Sequence, residues 1–170
     1  GSPALYSQLS FPGFKFEKAE SNNTVGEIFI IKGDGSLVIK VYYTRESYEV
    51  SYSYTNDVPG KSALPLTIGY SFGATVTVAD NATAPGYNFG GWSSTQVSGV
   101  GEKQTFTMPA ANVVFSGGFT AATVNYKVEH YKQNFDGTFP TTTEDIENKN
   151  GTTGTPASYE PKDTATGDYL

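Results

Sequence analysis

Tyr48-Glu49-Val50-Ser51-Tyr52-Ser53-Tyr54 sets Tyr48, Val50, Tyr52 and Tyr54 at alternate positions, with Glu49, Ser51 and Ser53 between them. Successive side chains of a strand point to opposite faces, so this period of two predicts a strand buried on one side. Leu37, Ile39, Val41 and Tyr43 alternate in the same way just upstream. The run Glu27-Ile28-Phe29-Ile30-Ile31 precedes them, joined through Lys32-Gly33-Asp34-Gly35-Ser36. Asp34-Gly35 supplies positive φ at little cost, which predicts a hairpin between the two runs. Further strands are expected at 14–18, 72–78, 87–92, 104–108, 113–119, 124–133 and 141–147, and residues 58–68 read as a loop. Phe135-Asp136-Gly137-Thr138 predicts a second tight turn. Helix signals are short: one or two turns over 3–9, opened by Pro3, and a fainter stretch over 163–170. Neither is long enough to stand alone.

The composition agrees with a mainly β chain. Charged residues make up only 16% of the 170, while Gly, Tyr and Phe number 19, 12 and 11. That mixture suits twisted strands and tight turns, and the length suits two small domains better than one large one. A net charge of −6 without a basic cluster argues against nucleic acid as a partner. No apolar run reaches the roughly 18 residues that cross a bilayer, so this stretch is not expected to insert in a membrane. With no Cys there is no disulfide framework, which excludes disulfide-scaffold secreted families but not Cys-poor bacterial surface modules. Gly1-Ser2 reads as an expression scar, which leaves open what preceded it.

Self-similarity organises the rest. Pro12-Gly13-Phe14-Lys15-Phe16 returns 73 residues later as Pro85-Gly86-Tyr87-Asn88-Phe89, and Tyr48-Glu49-Val50 returns 78 residues later as Tyr126-Lys127-Val128. A period of this size marks a tandem module. It divides the chain into the C-terminal half of one module (1–47), a complete central module (48–121) and the N-terminal half of another (122–170). A half-module cannot bury its own apolar face, so 1–47 and 122–170 are expected to pair, within one chain or tail to head between chains.

At this point the residues resemble a known family. The segment 33–45 with the strand from Tyr48, then Pro85-Gly86-Tyr87-Asn88-Phe89-Gly90-Gly91-Trp92 and Phe106-Thr107-Met108-Pro109-Ala110-Ala111-Asn112-Val113, resembles repeats of Gram-positive surface proteins. The type is the Listeria-Bacteroides (internalin B-repeat-like) and mucin-binding-protein repeat. Val128-Glu129-His130-Tyr131 and Asn134-Phe135-Asp136-Gly137-Thr138 are similar to the opening of a following repeat. The resemblance implies small β-grasp-like modules of antiparallel and mixed strands, a β-rich α+β fold with at most one or two very short helices. It implies tandem copies forming a stalk or adhesin on a cell wall, extracellular and anchored or secreted, with no catalytic residues and no cofactor. Partners would be neighbouring modules, a host glycan or protein, or further copies joined tail to head.

Candidate sites are few. Trp92, the sole Trp, and Tyr87 nearby in sequence could stack on a sugar, which makes a mucin-glycan module the second reading; the simpler one packs Trp92 as a core anchor after Gly90-Gly91. His130, the only His, has no Gly-x-Ser-x-Gly elbow to serve and reads as structural or exposed. Glu144, Asp145 and Glu147 lack the calcium-loop spacing and read as solvated acids, so no metal is expected. Asn22, Asn81 and Asn150 sit in N-glycosylation patterns, which carry no weight in a bacterial protein. A Lys–Asn cross-link is permitted by composition and would need Lys, Asn and an acid buried together.

Overall fold

The computed structural model describes residues 4–25 and 28–161, and every described element is a strand. In order they are β1 (Phe14–Ser21), β2 (Thr24–Val25), β3 (Ile28–Phe29), β4 (Ile39–Arg45), β5 (Ser47–Tyr54), β6 (Ile68–Ser71) and β7 (Thr75–Thr77). Then follow β8 (Tyr87–Phe89), β9 (Thr105–Thr107), β10 (Val113–Gly117), β11 (Phe119–Ala121), β12 (Thr123–His130) and β13 (Asp145–Thr152). The chain divides into two compact units. Unit 1 takes 1–55, 63–82 and 91–118; unit 2 takes 56–62, 83–90 and 119–170.

Unit 1 is built on the strand that the alternation marks most clearly. β5 is the middle of a three-stranded sheet, with β6 antiparallel on one edge and β10 parallel on the other. β5, which opens the central repeat, and β10, near its end, thus lie side by side in parallel, with β6 to β9 and irregular chain between them in sequence. Val113, Val50, Phe115, Val76, Val78 and Met108 form the core beneath this sheet, each at most 2% exposed. Asn112 fixes the parallel register: its side-chain oxygen accepts from the Glu49 backbone N–H at 2.9 Å, seating Val113 opposite Val50.

Also in unit 1, β1 pairs antiparallel with β4, from Phe14 opposite Arg45 to Ser21 opposite Ile39. This corrects the expected hairpin. The turn at 33–36 forms, with Asp34 Oδ1 accepting from both the backbone and the hydroxyl of Ser36. Its flanks do not pair: β3 is two residues long and bonds to β2, while β4 bonds to β1. Asn22 decides this by donating to Ser36 O and accepting from Val38 N–H, clamping the entry of β4 to the end of β1. Residues 4–9 are not helical. They run as irregular chain, tied by Ala4 N–H to Phe29 O and Leu9 N–H to the Tyr43 hydroxyl. Tyr6 packs at 5.8 Å from Phe29, and Phe11 edge-on at 4.9 Å from Tyr43. A helical turn of six residues offers too little to compete with those contacts. The second helix signal, 163–170, lies outside the described residues.

Unit 2 pairs β8 with β11 and β12 with β13, both antiparallel. The strand expected at 141–147 lies instead at 145–152, its place set by eight residue pairs with β12. Phe119 is its buried aromatic, with Phe89 at 5.0 Å and its own backbone N–H and C=O both bound by the Asn56 side chain at 2.9 Å.

The repeat is visible bond by bond where one module passes into the next. In unit 1, Phe14 N–H donates to Phe11 O, Glu46 N–H to Gly13 O, Phe72 N–H to Glu46 O and Ala74 N–H to Ser71 O. In unit 2 the same four bonds run from Tyr87 to Ala84, Ala122 to Gly86, Thr153 to Ala122 and Thr155 to Thr152. Gly13 and Gly86 both have φ +78, and a Cβ on either would strike the side chain of Phe72 or Thr153 respectively. This equivalence places residue 122 on residue 46 and β12 on β5 at a spacing of 76. The Tyr-x-Val match at 78 differs by two, a slip that leaves every side chain on its face and so is invisible to alternation.

Candidate functional site

Trp92, in unit 1, is 4% exposed. Its indole N–H donates to Asp80 O at 2.9 Å. Tyr54 stacks on it at 5.7 Å and 21°, and Tyr52 meets it nearly edge-on at 5.0 Å. Tyr52 then stacks on Phe115 at 5.5 Å, and Phe115 lies 5.8 Å from Phe106. The ring therefore stands within an aromatic row of the core. Tyr52 also accepts the Ala79 N–H on its hydroxyl, and burial raises its pKa above the ordinary value. The loop behind the row is tied to the β9 approach by Asn81, whose backbone and side-chain N–H groups both reach the Glu102 carboxylate. Tyr87 belongs to the other unit, half-buried on β8 opposite Ala121.

The remaining motif residues serve packing, turns and register in the same manner. In the stretch 85–92, Gly86 and Gly91 take φ of +78 and +90, Phe89 faces Phe119 across the β8–β11 pair, and Trp92 enters the core. In 106–113, Phe106, Met108 and Val113 are buried, and Asn112 sets the parallel pairing. The chemistry of these positions is steric and conformational.

On β12–β13, His130 Nε2 lies 2.9 Å from Glu147 Oε1, and Glu147 Oε2 lies 3.1 Å from Lys149 Nζ. The three form a row along one face of the hairpin, and Glu144 pairs separately with Lys132 at 3.0 Å. Among the described residues, no group of three or more His, Cys, Asp or Glu side chains is arranged to hold a metal ion. Nor is any polar or charged side chain buried among them, so the buried Lys–Asn–acid trio of a cross-link is not found there.

The tip of the same hairpin carries residues the sequence reading passed over. Phe135 is fully exposed, Phe139 is 64% exposed and Tyr131 41%. Phe135 sits inside the turn, where Asp136 Oδ1 accepts from both the N–H and the hydroxyl of Thr138. An aromatic within a turn motif has no strand face to carry it inward, and that was the available signal.

Aromatic core, paired terminal strands and duplicated junctions define a tandem β module. Residues 54–123 match the family model of the divergent InlB B-repeat domain, from the last residue of β5 to the first of β12. This is a repeat module of surface proteins, and the family is generally non-catalytic. No curated protein and no solved structure matches the chain.

Proposed function

We propose that this chain is a non-catalytic repeat region of a bacterial cell-surface protein, acting as a stalk or adhesin segment that extends other parts of the protein from the wall. The observation carrying this reading is the pair of equivalent junctions: the same four backbone bonds and the same glycine contact join module to module twice within 170 residues. A junction closed by hydrogen bonds on both sides transmits orientation, which a spacer needs and a flexible linker does not supply. The family match supports the setting, and the spending of motif residues on core and turns supports the absence of catalysis. Antibodies raised against the chain are expected to label intact cells of its source, with the antigen released by external protease. Antigen found only after lysis overturns the surface reading.

Carbohydrate recognition is the second reading, favoured by the aromatic tip at Tyr131, Phe135 and Phe139 rather than by Trp92. Sugar faces stack on exposed rings, and Tyr131 and Phe139 line one open surface depression, with Phe135 exposed in the turn between them in sequence. Binding on a mucin-glycan array that disappears in Phe135→Ser/Phe139→Ser supports it; an array without signal removes it.

A further inference from the structure

In the complete repeat the first strand has a neighbour on each edge: β6 on one side of β5 and β10, parallel, on the other. The junction equivalence makes β12 the next copy of β5 and β13 the next copy of β6. It also places 37–45 on 113–121, since Arg45 faces Phe14 as Ala121 faces Tyr87, and Lys40 faces Glu20 as Ser116 bridges Ser93. β4 is thus the preceding copy of the strand that seats on β5. Among the described residues, however, β4 pairs with β1 alone and β12 with β13 alone. Each keeps one open edge, and together the two edges are the halves of a seat already filled once in this chain.

Backbone direction agrees on both strands. Along β12, Ala122 O and His130 O accept from Thr153 and Glu144 on the β13 side, so even-numbered residues face β13. The odd residues Lys127, Glu129 and Tyr131 therefore turn their N–H groups to the open edge. On the β4 side, Val38 O accepts from Asn22 and Glu46 N–H donates to Gly13, so even residues face β1 and odd residues 37, 39 and 41 face outward.

We propose that the open edge of β12 takes the open edge of β4 from a second copy of this chain, in parallel, in the register of β10 on β5. Moving that register by the repeat spacing pairs Leu37 with Tyr126, Val38 with Lys127, Ile39 with Val128, Lys40 with Glu129 and Val41 with His130. Leu37, Ile39 and Val41 then meet Tyr126 and Val128 on one face, all of them half-buried in the single chain. On the other face Lys40 stands opposite Glu129, an attractive cross-strand pair. Tyr131 N–H is set to donate to Val41 O, as Thr55 N–H donates to Gly117 O at 2.9 Å in the filled seat. An unpaired strand edge is a template for such addition. Because the two edges differ, copies join head to tail, into open chains or closed rings of which a reciprocal pair is the smallest. The inference rests on the tandem-module reading only for the equivalence that supplies the seat.

Sedimentation equilibrium of the 170-residue protein over a wide concentration range tests it. The weight-average mass is expected to rise above 18.2 kDa with concentration, to that of two copies for a reciprocal pair and beyond it for longer chains. Lys127→Pro deletes an outward donor while sparing the β13 side, and is expected to weaken association about tenfold or more. Glu129→Lys is expected to weaken it as well, and adding Lys40→Glu in the same chain to restore it. Circular dichroism unchanged from the parent establishes that each variant is folded. A monomer at every concentration, or association indifferent to all three substitutions, overturns the docking. Surface labelling of cells is unaffected by that outcome, so the two readings fail separately.

Discussion

Replacing Gly13 by Ala tests the junction most directly. Gly13 has φ +78, and a Cβ there would lie 2.2, 2.4 and 2.6 Å from three carbons of the Phe72 ring. Holding Ala in the left-handed region costs roughly 1–2 kcal/mol. The ring, the rigid body of a side chain, must also leave, forfeiting its edge-on contact with Phe14 at 5.5 Å. Such an aromatic pair is worth about 0.5–1.5 kcal/mol, and partial loss of burial for a half-buried Phe adds about 1 kcal/mol. The expected loss is therefore about 3–4 kcal/mol, measured by urea unfolding followed by Trp92 fluorescence. In a Phe72→Ala background the obstacle is gone, and Gly13→Ala should cost only the conformational part, about 1–2 kcal/mol. The double-mutant cycle should accordingly report a coupling of about 1.5–2 kcal/mol between two residues far apart in sequence. A coupling below about 0.5 kcal/mol would refute the steric reasoning and with it the rigid junction.

Iodide should quench Trp92 fluorescence weakly, because the indole is 4% exposed; quenching close to that of free tryptophan, or a spectral shift with mucin glycans, would return Trp92 to the candidate binding residues. Asn56→Ala leaves both the N–H and the C=O of the buried Phe119 without their partner, so urea unfolding should register a loss of about 1–3 kcal/mol; a neutral result would mean that water replaces the amide. Asp34 and Asp136 accept from Ser36 and Thr138, and those bonds hold their carboxyls below the ordinary value of 3.8. Their contribution to the two turns is therefore complete above that value and is lost as pH falls through the lower folded values. NMR shifts of the Ser36 and Thr138 amides should follow this with midpoints below 3.8; midpoints at or above it would contradict the hydrogen-bond assignment.

Much of the fold was legible in the sequence wherever a strand has one wet and one buried face. The alternation in 48–54 located β5, that in 37–43 located β4, and the repeated Pro-Gly-aromatic pattern revealed the tandem repeat and two equivalent positions within it. Pairing was less legible. The β4 partner is chosen by Asn22, a side-chain clamp with no signature in hydrophobic periodicity. β6 was not anticipated: Ile68 ended the expected loop and Gly69-Tyr70-Ser71 carried no strand signal, and its strand state comes from bonding to β5. β13, with the sequence Asp-Ile-Glu-Asn-Lys-Asn-Gly-Thr, carries almost no apolar alternation and is a strand because β12 makes it one. For the candidate site, the burial of Trp92 followed from its place after two glycines, whereas the exposed tip at Phe135 and Phe139 required the turn to be built first.

The parallel seating of β10 on β5 has a mechanical consequence. Tension along the polypeptide enters the module at the start of β5 and leaves it past the end of β10. In a parallel pair those points lie at opposite ends of the ladder, with Val50 opposite Val113 at one end and Tyr54 opposite Gly117 at the other. Pulling therefore loads all five residue pairs in shear at once, whereas an antiparallel hairpin pulled from its two ends would open one pair at a time. Separation requires the whole ladder to fail together, with the buried side chains of Val50, Val113 and Phe115 dragged past their neighbours.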